Sequence, residues 1–132
     1  MKVFSLFLSQ NCFMRYQPLP ATFYRQARAN FMAQMQGNSL AVFNSNDVYP
    51  ISADSTLPFA QHRDIFYLSG VDQEESILVL FPKAVEAKHR EILFVRETNA
   101  HIAVWEGAKL TKDQATKLTG VETVYWLSNF ER

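Results

Sequence analysis

The side chains of this sequence that could do chemistry are few and scattered. Asp47, Asp54, Asp64 and Asp72 are carboxylates that could in principle share a metal ion. Their spacing is not that of a calcium-binding loop, and each lies beside turn-forming residues, so turn and cap roles are the expectation. Glu74 and Glu75 could work as a general acid and base. The plainer reading is a solvated turn between strands. His62, Arg63 and Asp64 line up an imidazole, a guanidinium and a carboxylate. They form either a polar cluster or a surface ion pair worth little.

The remaining candidates are mostly negative. His62, His89 and His101 lack the spacing of zinc ligands. The glycines are too far apart for a phosphate-cradling loop, and neither HExxH nor CxxC occurs. Cys12 is the single cysteine, which excludes an internal disulfide and suits a reducing compartment, so a cytoplasmic location is expected. Trp105 and Trp126 are core fillers or interface anchors. Trp126 ends an apolar run and is assigned to the core. Trp105 stands beside Glu106-Gly107 in a polar context, where an exposed position is open to it.

These residues must be positioned by one domain's worth of chain. The length is 132 residues, and a hydrophobic content of 48% with 14% aromatic is ample for a packed core. The formal net charge is zero and no Lys/Arg run occurs, which argues against a nucleic-acid partner. Met1 to Leu8 looks like a miniature signal peptide, but its apolar run is too short to span a bilayer and Ser9 to Cys12 is a poor cleavage site. Residues 1–13 are therefore read as an extension or upstream start, with the domain over 14–132 and no membrane partner.

The elements follow from periodicity. Thr22 is a candidate N-cap for a helix over Phe23 to Gln36, whose Phe23, Ala27, Phe31 and Met35 form a core-facing stripe. Arg28 falls elsewhere on the wheel. Ser39 to Phe43 is a short strand followed by the turn residues Asn44 to Asp47. Ser52 to Asp64 is polar and lacks apolar periodicity; it is read as a loop at the sheet's edge. Ile65 to Leu68 is read as an aromatic strand ending at Ser69-Gly70. Ile77 to Phe81 is an unbroken apolar run, as expected for a strand covered on both faces. Glu91 to Arg96 is another strand, Thr98 to Gly107 is mixed, Thr111 to Leu118 is a short helix, and Val121 to Trp126 is a last strand. The fold class is α/β or α+β, a mixed sheet flanked by helices. Asn129 to Glu131 reads as an early helical turn, so one domain of a longer protein is expected.

The order of these features strongly resembles the N-terminal domain of Xaa-Pro aminopeptidases, in the creatinase/prolidase superfamily. The resemblance rests on Asp54 to Phe59, Gln61 to Asp64, Phe66 to Gly70, Glu74 to Leu80 and Trp105 to Gly107, and runs from about Met14 to the end. It implies an α/β fold of ribonuclease-H-like topology. It also implies a parent enzyme that removes the residue before a proline at the second position of a peptide, using two divalent metal ions, commonly manganese. The family's metal ligands belong to its C-terminal catalytic domain, and no residue here matches one. This domain would then be non-catalytic, with no cofactor of its own. Its partners would be that catalytic domain, other copies of itself and the peptide substrate. By motif position Trp105 is the residue expected to reach a substrate pocket. Asp54, Gln61, Arg63 and Asp64 are second candidates for the cleft or interface edge; for all five, ordinary packing or turn structure is the competing reading. The same sequence is compatible with a stand-alone binding or oligomerisation module, or with the domain of a prolidase- or creatinase-like hydrolase.

Overall fold

The computed structural model describes residues 17–130. Residues 1–13, including Cys12, and the proposed start at Met14 lie outside the described residues.

A four-stranded sheet forms the centre, in the order β1 (Ala41–Asn44), β4 (Ile77–Leu80), β5 (Glu91–Val95), β6 (Thr123–Trp126). The first two pairings are antiparallel and β5–β6 is parallel. Parallel neighbours need a long crossover. Here it carries two helices, α3 (Ala100–Glu106) and α4 (Lys112–Thr119). Side chains two apart share a sheet face. Leu78 and Leu80 on β4 and Leu93 and Val95 on β5 therefore make one wall of the core. Ile65 and Leu68 from α2 (Arg63–Ser69), Ala27 from α1 (Ala21–Gln34), Ala115 from α4 and Val121 close it. On the other face Phe94 is buried, edge-on to Phe130.

Three local expectations are corrected. Ile65 to Leu68 is helix, not strand. His62 caps it by accepting from the Asp64 N–H, and Gly70 closes it in the left-handed conformation with its N–H on the Phe66 carbonyl. Ile65, Leu68 and Ser69 are buried while Tyr67 is exposed, which is helical spacing in a run too short to display it. The mixed stretch before Gly107 is also a helix, α3. The polar segment after Ser52 is not wholly irregular: β2 (Pro50–Ser52) and β3 (Ser55–Thr56) pair as a small antiparallel hairpin.

The first helix is rotated from its expected setting. It starts at Ala21 after Pro20, with no side-chain cap, so Thr22 is not the cap. Its buried residues are Tyr24, Ala27 and Arg28, while Phe23 and Phe31 stay more than a third exposed at the margin of the stripe. Arg28 is fully buried because it has partners there. Its Nη1 donates to the carbonyls of Leu68 and Thr119 at 2.9 Å each, near the C-termini of α2 and α4. A cation belongs at such carbonyl-rich ends. α4 is further fixed by a reciprocal capping box between Thr111 and Gln114.

Candidate functional site

The acidic loop from Asp72 to Glu75 joins the two stretches singled out from sequence. Gln73 is buried. Its backbone carbonyl accepts from the Gln61 side-chain amide at 2.9 Å, and its Oε1 accepts from the Leu110 N–H at 2.8 Å. One residue thus ties the polar segment before α2 to the chain just after α3.

Gln61 uses both ends of its amide. Nε2 donates to the Val71 and Gln73 carbonyls, and Oε1 accepts from the N–H groups of Asn46 and His62. A side chain so occupied shapes the loop around it. Arg63 and Asp64 are exposed in the first turn of α2, with His62 Nδ1 3.9 Å from the Asp64 carboxylate. Gln61, Arg63 and Asp64, together with Asn46, Ala60 and His62, line one open depression. Asp54 lies in the exposed turn of the β2–β3 hairpin and Trp105 on α3; neither lines that depression.

The expectation of a solvated turn holds for the exposed Glu75 but not for Glu74. Glu74 is buried, its Oε1 2.5 Å from Lys109 Nζ and 3.3 Å from Arg96 Nη1. Burial works to raise the Glu74 pKa. The Lys109 hydrogen bond, a backbone hydrogen bond and the charges of Lys109 and Arg96 outweigh it, so the carboxyl sits below its ordinary range. Arg96 also reaches Glu75 at 3.5 Å through Nε and Glu106 at 2.5 Å through Nη2. Glu75 has a φ of 52°, a left-handed conformation that a non-glycine residue adopts only when its surroundings hold it. Neither Arg96 nor Lys109 was singled out from sequence. The signal available was the acidic pair itself, which needs cations if it is to be buried.

Trp105 projects from this knot. It is 80% exposed, and Val104 beside it 77%. They are two adjacent apolar side chains left in water on one short helix. Trp126, in contrast, is half-buried against the core, with Lys112 Nζ 4.8 Å above its ring. Among the described residues no group of three or more His, Cys, Asp or Glu side chains is placed to hold a metal ion. The geometry offers an exposed indole and a polar edge.

A family model for the aminopeptidase P N-terminal domain matches residues 24–132. The chain belongs to this family. Among relatives, human Xaa-Pro aminopeptidase 3 is 36% identical over 89 residues, covering 66% of this chain and 18% of its own length. The Xaa-Pro aminopeptidase of Escherichia coli K12 is 34% identical over 71 residues, covering 54% and 16%. Among solved structures, Pseudomonas aeruginosa aminopeptidase PepP superimposes with a TM-score of 0.78 at 26% identity, over 86% of this chain and 25% of that one. Escherichia coli aminopeptidase P with the inhibitor Pro-Leu gives 0.74 at 27% identity, over 85% and 25%. The chain spans less than a fifth of the length of these curated relatives. The mixed sheet and flanking helices are thus the family's fold.

Proposed function

We propose that this domain is the non-catalytic N-terminal part of a cytoplasmic Xaa-Pro aminopeptidase, which removes the residue preceding a proline at the second position. The observation that carries the reading is the exposed indole of Trp105, at the position of the family's W-x-G motif. In this reading the Trp105 face packs against proline or a residue near it and helps wall the cleft, in its own subunit or a neighbouring one. The polar edge at Asp54, Gln61, Arg63 and Asp64 serves the cleft rim or the contact between copies. The catalytic domain supplies two divalent metal ions, manganese in this proposal, to activate water and polarise the scissile carbonyl. In this reading the ligands for those ions lie in the catalytic domain, and the part played by this chain is to shape the cleft.

Two measurements test it. This chain, incubated with an Xaa-Pro peptide and manganese, should release no amino acid; turnover would overthrow the assignment. The reading frame around it should encode a segment bearing the Asp, Asp, His, Glu and Glu ligand set. A frame without such a segment would leave a stand-alone binding module as the better account.

A further inference from the structure

α3 is an element that should not persist by itself. It has seven residues, whereas isolated helices shorter than about 12 residues are marginal in water. Burial contributes little, since none of its residues is fully buried and only Ile102 and Ala103 are half-buried. Its other restraints are polar. Asn99 caps its start by accepting from the Ile102 N–H at 2.8 Å. Its last residue, Glu106, meets Arg96. Beyond Gly107 the chain is pinned again by Lys109 on Glu74.

We propose that Arg96 is the positioning residue of this helix. Its guanidinium is shared between Glu106, next to Trp105, and the Glu74-Glu75 turn, so it fixes the indole relative to the sheet by charge rather than by packing. Arg96 directly follows β5 and its side chain is only 28% exposed, which gives the clamp a rigid base. Glu106 is 44% exposed, so the contact is open to screening by salt. α3 is thus a separable unit, able to lose its order while the sheet stays folded. The consequence for peptide binding rests on the reading of Trp105 given above; the position of α3 does not.

Amide hydrogen exchange on this chain, read residue by residue, tests the clamp. In low salt the amides of residues 103–106 should exchange about 5-fold faster in Arg96→Met and Glu106→Gln than in the unaltered chain, with Leu78 and Leu93 unchanged. About 1 M NaCl should accelerate the same amides in the unaltered chain and add little in Arg96→Met. Arg96→Lys, which keeps the charge, should recover part of the protection. Exchange at 103–106 within about twofold of the unaltered chain in both variants overturns the proposal. So does acceleration of the whole sheet in Glu106→Gln. If Arg96→Met does not fold, Glu106→Gln decides alone: local acceleration supports the clamp and no change sinks it. Should the clamp hold while Trp105→Ala, in a peptidase that carries this domain, leaves peptide turnover untouched, it is the reading of Trp105 that fails.

Discussion

Arg28 Nε lies 3.0 Å from the Glu91 carboxylate, joining the middle of α1 to the first residue of β5 inside the fold. The guanidinium has no solvent exposure, and Glu91 keeps a quarter of its side chain in water. Burial lowers the Arg28 pKa, and the Glu91 carboxylate works against that. The same group satisfies the carbonyls of Leu68 and Thr119, so one side chain ties together three helices and the sheet.

Removing it should therefore be costly. Arg28→Ala leaves a void and two carbonyls without their donor, and should lower unfolding stability by about 3 to 5 kcal/mol in urea titrations. Glu91→Gln keeps the shape but strips the counter-charge, and a smaller loss of about 1 to 2 kcal/mol is expected. Equal losses from both would mean that the charge, not the helix-end contacts, carries the effect.

Gly70 and Gly107 both have positive φ, at 74° and 80°, yet they should respond differently to alanine. A Cβ at Gly70 would come within 2.4 Å of the Tyr24 ring, while at Gly107 it would meet nothing within 4 Å. Gly70→Ala adds a steric clash in the core to backbone strain and should cost about 2 kcal/mol or more of global stability. Gly107→Ala carries strain alone, and its effect should appear in the exchange of α3 before it appears in the denaturation midpoint.

Glu74 gives a pH dependence with a definite sign. Its folded pKa lies below the ordinary 4.5, so the unfolded chain binds more protons as the carboxyl titrates. The pair's contribution is then fully present above the unfolded value and is lost as pH falls through the folded one. Denaturation midpoints of the unaltered chain should fall below that range more steeply than those of Glu74→Gln. Parallel curves for the two proteins would show that Glu74 is not linked to folding.

Trp105 should be separable from stability. With its ring in water, Trp105→Ala should shift the unfolding free energy by less than about 0.5 kcal/mol. Trp105→Phe should remove the quencher-accessible part of the tryptophan fluorescence and leave the Trp126 signal. In a peptidase that carries this domain, Trp105→Ala should raise the KM for Xaa-Pro peptides about 3- to 10-fold. Unchanged kinetics would return Trp105 to the status of an idle surface residue.

Much of the frame was legible without coordinates. The apolar runs Ile77 to Leu80 and Ile92 to Val95 read as strands of a covered sheet, and Gly120 reads as the stop of the short helix before it, as the structure has them. The order of short motifs was enough to point to the family.

What the residue string determined was thus the α/β class, most of the main elements and the kinship, because these depend on local periodicity and on motif order. What the tertiary structure alone decided was how residues far apart in sequence meet. Ile65 to Leu68 became a helix because, beyond its local caps, Ile65 and Leu68 pack into a core built from the distant strands β4 and β5. Arg28 went inside because helix ends separated from it by 40 and 91 positions supply its acceptors. Glu74 went inside because Lys109 and Arg96 converge on it. Burial of a charge is a property of its distant partners, and no window of sequence contains them.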